Sequence, residues 1–360
     1  MSKSIKVLIV DDSALIRKML KEIISHAPDM EVVGTASDPL IAREKIKRLH
    51  PDVLTLDIEM PKMDGISFLK KIMSLRPMPV IMISTLTEKG AQVTMDALAI
   101  GAFDFIAKPQ VNDEAELLDY EQEIVEKIRA AATSNIAKVE RSTFRDSKPA
   151  ATSLYDNFVP YKNFIATIGA STGGTEAIKE VLSALPANCP PIVIAQHIPE
   201  SFSHSFARRL DLCCAMNVHE AMHGERIKSG NVYIAPGGQH LYVKRDGTGC
   251  VCQLSGGVLV NRHRPSVDVL FASVAEVYGR RSCAALLTGM GADGAKGLLQ
   301  LKQAGAHTMV QDQATSVVWG MPGVAVSMMA HNEQLPLDKV AKSILYQSGK
   351  AESGKALLKG

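Results

Sequence analysis

Residues Ile5–Asp12, IKVLIVDD, decide how the N-terminal part of this chain is read. A run of Val, Ile and Leu without a turn residue stops at two consecutive aspartates. That is the pattern of a strand buried on both faces and ending at a charged loop, not of a signal peptide. The pattern returns at Glu31–Ala36, Val53–Leu56, Val80–Ile83 and Asp104–Ala107. Between these runs the apolar spacing becomes helical, as in Leu15, Met19, Leu20, Ile23 and Ile24. Strands alternating with helices predict an α/β fold, a five-stranded doubly wound parallel sheet. In strand order 2-1-3-4-5, the first and third strands are neighbours, and a ligand crevice opens beyond their carboxyl ends.

Chemistry-bearing residues fall at those ends. Asp11 and Asp12 follow the first strand and Asp57 the third; Ser84 closes the fourth, and Lys108 the fifth, just before Pro109. Three carboxylates in one crevice repel one another unless they share a cation, and clustered oxygens suit Mg²⁺. A hydroxyl and an ammonium reaching the same place suit a phosphoryl group carried by Asp57.

A chain of 360 residues exceeds what one core usually organises. Its character changes after residue 131. Residues 132–161 are rich in Ser, Thr, Ala, Lys and Arg, contain Pro149 and Pro160, and read as a linker whose early part prolongs the preceding helix. A second series then begins: a strand at Phe164–Ile168, a helix from Thr175, a strand at Ile192–Ala195 and a helix from Ser201. It closes with Ala284–Leu287, a helix from Ala295, and Thr308–Val310. The expected organisation is a domain at 1–131, the linker, a second α/β domain with a mainly parallel sheet at 162–348, and a Lys/Gly/Ala-rich tail at 349–360. Lys plus Arg number 40 against 38 for Asp plus Glu, so charge gives no argument for nucleic acid or a membrane surface. No stretch approaches the roughly 18 apolar residues of a membrane span, and a cytoplasmic protein is expected. The six cysteines form no C-x-x-C pair and read as thiols of a reducing compartment.

In the second domain, Gly169-Ala170-Ser171-Thr172-Gly173 fits G-x-S-x-G between a strand and a helix, where small neighbours expose a serine. Glycine-rich turns of this kind also cradle nucleotide phosphates, so the turn alone leaves both chemistries open. His197 follows the strand Ile192–Ala195, and Asp293 lies in the glycine-rich turn after Ala284–Leu287. Parallel strands place such ends on one edge, where serine, histidine and aspartate can meet as nucleophile, general base and orienting carboxylate. His204, His219, His223, His240 and His263 are less obviously placed. The chain order Ser–His–Asp departs from the Ser–Asp–His order of the lipase-type fold.

The segments VLIVDDS (7–13), LTLDIEMPKMDG (54–65), VIMIST (80–85) and GAFDFIAKP (101–109) resemble the response-regulator receiver family. That resemblance implies that Asp57 accepts phosphate, that Asp11, Asp12, Asp57 and the carbonyl of Glu59 hold Mg²⁺, and that Ser84 and Lys108 transmit the change. Phe105 takes the aromatic switch position. IGASTGG (168–174), IVIAQHIPESFSHSFARRL (192–210), VYIAPGGQHL (232–241), NRHRPSVDVLF (261–271), LLTGMGADGAKGL (286–298) and QDQATSVVWGMP (311–322) resemble the chemotaxis protein-glutamate methylesterases.

This second resemblance implies Ser171, His197 and Asp293 as the triad, with the backbone N–H groups of Thr172 and Met290 as oxyanion donors. It sets Arg264, Ser266 and Asp268 near the cleft. Read without it, Ser266 caps a helix and Pro265 sits in its first turn. The implied substrate is the cytoplasmic part of a chemoreceptor, demethylated at glutamate and deamidated at glutamine. The implied phosphate donor is the chemotaxis histidine kinase, and the unphosphorylated receiver is expected to block the cleft. The esterase chemistry needs no cofactor. An alternative is a receiver-controlled esterase for another protein or a small-molecule ester. A nucleic-acid-binding output would need a helix-turn-helix or a basic stripe, and the sequence presents neither.

Overall fold

A computed structural model of the chain describes residues 4–60, 63–108, 114–134 and 158–351. Pro61 and Lys62, Pro109, most of the expected linker and the end of the expected tail lie outside the described residues. The chain divides into two compact units, Met1–Phe144 and Arg145–Gly360.

In the first unit, strands β1 (Ile5–Val10), β2 (Met30–Ala36), β3 (Val53–Asp57), β4 (Val80–Ser84) and β5 (Asp104–Ala107) form one sheet of order β2-β1-β3-β4-β5. Every pairing is parallel, as the unbroken apolar runs require. Helices α1 (Ala14–His26), α2 (Pro39–Leu49), α3 (Gly65–Leu75), α4 (Glu88–Ile100) and α5 (Glu114–Thr133) connect or follow the strands. Their starts are set locally. Ser13, Asp38, Asp64 and Thr87 each accept a backbone N–H of the first turn, from Ile16, from Leu40 and Ile41, from Ser67 and from Gly90. Proline at the first position of α2 has no N–H to lose there.

The second unit holds a seven-stranded, wholly parallel sheet. Its strands are β7 (Ile165–Ala170), β8 (Ile192–Gln196), β9 (Asn217–Glu220), β10 (Asn231–Ile234), β13 (Ser282–Leu286), β14 (His307–Gln311) and β15 (Glu333–Leu335), in the order β15-β14-β13-β7-β8-β10-β9. The helices are α6 (Gly174–Ser183), α7 (Glu200–Asp211), α8 (Val267–Tyr278), α9 (Ala295–Gln303), α10 (Met321–Ser327) and α11 (Leu337–Ser348). Strands β11 (His240–Asp246) and β12 (Gly249–Ser255) make an antiparallel hairpin. Ser273 Oγ of α8 accepts the N–H of Val243 at 3.0 Å and ties this hairpin to the core built on Phe271, Val274 and Leu298.

The expected strands and helices are present with ends shifted by one or two residues. Strands β9, β10, β11 and β15 add to those read from periodicity. Helix α5 runs to Thr133, and β6 (Phe158–Pro160) pairs antiparallel with β16 (Gly349–Ala351). Residues expected in the linker and in the tail thus close a two-stranded ribbon on the second unit. Among the described residues, no helix is long and apolar enough to cross a membrane.

Candidate active site and phosphorylation pocket

The order of the large sheet reverses between β7 and β13. Chain connections run outward from β7 through β8 on one side and from β13 through β14 on the other. A crevice opens beyond the carboxyl ends at such a point. Ser171 directly follows β7, His197 directly follows β8, and Asp293 lies in the loop between β13 and α9. His197 Nδ1 lies 3.1 Å from Ser171 Oγ, and His197 Nε2 lies 2.8 Å from Asp293 Oδ2. The structure therefore brings all three expected residues into one connected chain. The His197 side chain is 8% exposed and that of Asp293 2% exposed, so the carboxylate is shielded, while Ser171 is half-buried.

Backbone contacts hold the serine turn. The Ser171 N–H donates to Thr288 O at 3.0 Å, and Gly174 N to Ser171 O at 2.7 Å. Gln196 Nε2 donates to Ser171 O and His197 O, which links the serine and histidine loops. Gly173, at the N-cap position just before α6, has φ 74°, a left-handed position that favours glycine. Gly289 is needed for space: a Cβ there would stand 2.3 Å from Met321 Sδ and 2.8 Å from Ser171 Cβ. Thr288 Oγ1 donates to Thr172 O, and Gln311 Oε1 accepts the Thr288 N–H, so the QDQATSVVWGMP segment buttresses this wall. The N–H groups of Thr172 and Met290 have no acceptor among the described residues. Both are therefore available to a developing oxyanion.

Asp293 carries more than the histidine. Its Oδ1 accepts from Ser266 Oγ at 2.8 Å, from Asn261 Nδ2 at 2.6 Å and from the Asp268 N–H at 3.2 Å; its Oδ2 also accepts the Val267 N–H at 2.6 Å. Burial alone would raise this carboxyl, but the hydrogen bonds from His197, Asn261 and Val267 hold it well below the usual carboxylate range.

The expected cap at Ser266 is corrected by the same contacts. Ser266 occupies the N-cap position of α8 but makes no side-chain cap bond, and Pro265 stands outside the helix. Asp293 receives the first N–H groups of α8, and Ser266 donates to Asp293 instead. Asp268 accepts the Gly297 N–H at 2.7 Å and Asn261 Nδ2 at 2.8 Å. Arg264 Nη1 donates to the carbonyls of Gly256 and Gly257. Asn261, Gln196, Thr288 and Gln311 are contributors that the sequence reading did not single out. His263, set aside there with four other histidines, stacks on His197 with ring centroids 3.6 Å apart.

In the first unit, carboxylate oxygens of Asp11, Asp12 and Asp57 lie within 4.8 Å of one another at the ends of β1 and β3. Lys108 Nζ stands 2.9 Å from Asp57 Oδ1 and 3.4 Å from Asp11 Oδ2. Burial pushes the Asp57 carboxyl up to about 6 against the pull of Lys108, and burial also raises Asp11. Asp57 Oδ2 is buried without a hydrogen-bond partner among the described residues. One ammonium does not satisfy this much buried negative charge, and the clustered oxygens fit a small hard cation. Glu59 presents its N–H to Asp57 Oδ1 at 3.3 Å. Ser84 Oγ accepts from Thr94 Oγ1 at 2.8 Å, and Phe105 is buried.

A carboxylate pocket on a receiver fold, joined in one chain to a Ser–His–Asp arrangement on a parallel sheet, defines the class of receiver-linked hydrolases. The chain matches the family model described as response regulator receiver domain over residues 7–120 and that described as CheB methylesterase over 166–344. It is 54% identical to protein-glutamate methylesterase/protein-glutamine glutaminase 2 of Saccharophagus degradans, across 95% of this chain and 98% of that protein. It is 50% identical to the corresponding Hydrogenovibrio crunogenus protein, across 96% of this chain and 99% of that one. The crystal structure of the Thermotoga maritima CheB methylesterase catalytic domain matches with a TM-score of 0.50 at 38% identity, covering 51% of this chain and 98% of that chain. The chain belongs to the protein-glutamate methylesterase/protein-glutamine glutaminase family.

Proposed function

We propose that the protein is a phosphorylation-controlled serine hydrolase that removes methyl groups from glutamate side chains of chemoreceptors and deamidates selected glutamines, as an adaptation enzyme of chemotaxis. The observation that carries this reading is the Ser171–His197–Asp293 chain at the carboxyl edge of the parallel sheet, with two unpartnered N–H groups beside the serine. Ser171 Oγ attacks the γ-carbonyl carbon of the glutamate methyl ester while His197 Nδ1 takes its proton. The Thr172 and Met290 N–H groups receive the oxyanion, and Asp293 stabilises the imidazolium through Nε2. The carbon–oxygen bond to the methoxy group breaks, His197 returns the proton, and methanol leaves. Water, deprotonated by His197, attacks the acyl-enzyme; the serine regains its proton and the carboxylate is freed. An amide follows the same path and releases ammonia.

Control enters at Asp57, phosphorylated by the chemotaxis histidine kinase. Asp11, Asp12, Asp57 and the Glu59 carbonyl would hold Mg²⁺, which supplies charge neutralisation at the carboxylate and phosphoryl oxygens. Lys108 pairs with the modified side chain, and Ser84 redirects to the phosphoryl group the hydroxyl proton that it offers to the carbonyls of Thr85 and Gly90. Phosphorylation raises esterase activity by its differential affinity for the active arrangement. These partners set the protein in the cytoplasm.

The test compares methanol release from a methylated chemoreceptor with hydrolysis of a generic nitrophenyl ester. A strong preference for the receptor supports the reading. Equal or better turnover of the generic ester would favour an esterase for other substrates.

A further inference from the structure

His263 reaches the site from a segment without a regular element, residues 256–264, that connects β12 to α8. The segment is pinned along its length. Arg264 Nη1 donates to the carbonyls of Gly256 and Gly257 at 2.9 and 2.6 Å. His240 accepts the Ser266 N–H on Nδ1 at 3.2 Å and meets Val258 O through Nε2 at 2.9 Å, which is the pattern of a neutral ring protonated on Nε2. Between these anchors, Val260 and His263 exchange both backbone hydrogen bonds, at 3.1 and 2.9 Å, and close a tight turn. Asn261 and Arg262 within it have φ of 52° and 64°. Two successive left-handed residues other than glycine are costly, and such positions persist where surrounding contacts over-determine them.

Two side chains of this turn, Asn261 and His263, reach the triad. Asn261 Nδ2 bridges Asp293 Oδ1 at 2.6 Å and Asp268 Oδ2 at 2.8 Å. The His263 ring lies on the face of His197, with centroids 3.6 Å apart and planes 19° from parallel. The two hydrogen bonds of His197, one at each ring nitrogen, fix an axis, and tilting of the ring about that axis is resisted by little else than its link through Cβ. A flat partner on one face removes that freedom. It also offers a π surface to the imidazolium that forms as Ser171 loses its proton.

We propose that His263 is a positioning residue for the general base: its ring, delivered by the strained turn Val260–His263, fixes the plane of His197 while the proton moves between Ser171 and the leaving group. This rests on the serine-hydrolase reading above. It assigns His263 no proton transfer and no contact with substrate. An aromatic ring of another kind therefore replaces it, and a non-aromatic side chain does not.

The test uses the full-length chain with His263→Ala, His263→Asn and His263→Phe. A serine-directed fluorophosphonate gives the second-order labelling rate at Ser171 and the fraction of competent sites. Demethylation then gives kcat and KM per competent site. Misplaced catalytic groups cost up to about 100-fold, so His263→Ala and His263→Asn are expected to lower both the labelling rate and kcat roughly 10- to 100-fold. KM stays within about 3-fold, and His263→Phe returns the rates to within about 3-fold of wild type. A merely structural role would lower the fraction of competent sites and leave the rate per site unchanged. Wild-type labelling rates in His263→Ala or His263→Asn, or a Phe variant as slow as the Asn variant, would overturn the proposal. If His263→Ala does not fold, the Asn–Phe comparison decides. A wild-type chain that the probe does not label at Ser171 would instead overturn the hydrolase reading, and this proposal with it.

Discussion

Val267 donates its N–H to Asp293 Oδ2 at 2.6 Å, the same oxygen that faces His197 Nε2 at 2.8 Å. One carboxylate thus orients the histidine and closes the first turn of α8. Asp293→Asn is expected to affect stability as well as activity, at about 1–3 kcal/mol, because a buried donor or acceptor loses its partner. The sign of the pH dependence follows from the depressed carboxyl. Its contribution is fully present above the ordinary value of 3.8 and is lost as pH falls below that value toward the lower folded one. Thermal unfolding of wild type and Asp293→Asn should therefore differ most near neutrality and converge below about pH 4. A gap that stays constant through acid would count against the network.

Ser171→Ala removes one hydroxyl from a half-buried turn whose geometry is held by backbone bonds to Thr288 and Gly174. Stability should change by less than about 1 kcal/mol. Demethylation should fall by a factor of about 10³ or more, as for other triad nucleophiles. Residual activity within about tenfold of wild type, measured as methanol release, would rule out the serine mechanism.

Gly289→Ala tests the wall behind the nucleophile. The added Cβ would lie 2.3 Å from Met321 Sδ and 2.8 Å from Ser171 Cβ, and neither distance is tolerable without movement. Methionine can yield, whereas the Ser171 turn is anchored. We expect a stability loss of about 1–3 kcal/mol and a kcat loss of roughly 10- to 100-fold, because displacement reaches the reacting atom. Unchanged kcat in a folded variant would show that the turn absorbs the methyl group.

Lys108→Ala leaves Asp57 and Asp11 buried without their cation. Removing one partner of a buried pair costs about 3–5 kcal/mol, less here because Lys108 keeps 19% of its side chain exposed. A loss of about 1–3 kcal/mol in the receiver unit is expected, with loss of the response to a small phosphodonor. Added Mg²⁺ should recover part of the stability by neutralising the same carboxylates. A Lys108→Ala protein that unfolds as wild type does and still responds would contradict the pocket assignment.

The residues at strand ends were legible in the sequence because both sheets are parallel. Such strands announce themselves as apolar runs, and their carboxyl ends share one edge, so Asp57 and Ser171 could be placed without coordinates. The edge strands β9 and β15 are short and only partly buried, which leaves no clean run to find. The ribbon of Phe158–Pro160 with Gly349–Ala351 joins segments from opposite ends of the second unit, and no local signal marks such a pairing. Ser266 has the sequence of a cap, but a carboxylate from residue 293 outcompetes its hydroxyl for the helix N–H groups. His263 and Asn261 were hidden for another reason. Their placement depends on two left-handed residues with ordinary side chains, and composition gives no warning of that.

The most direct test of the account is methanol release from methylated chemoreceptor by the full-length protein, with and without a small phosphodonor and Mg²⁺, alongside Asp57→Asn and Ser171→Ala. Phosphodonor with Mg²⁺ is expected to accelerate the wild type, Asp57→Asn to stay at its basal rate under both conditions, and Ser171→Ala to release no methanol under either. Acceleration that persists in Asp57→Asn, or methanol release that survives in Ser171→Ala, would contradict it.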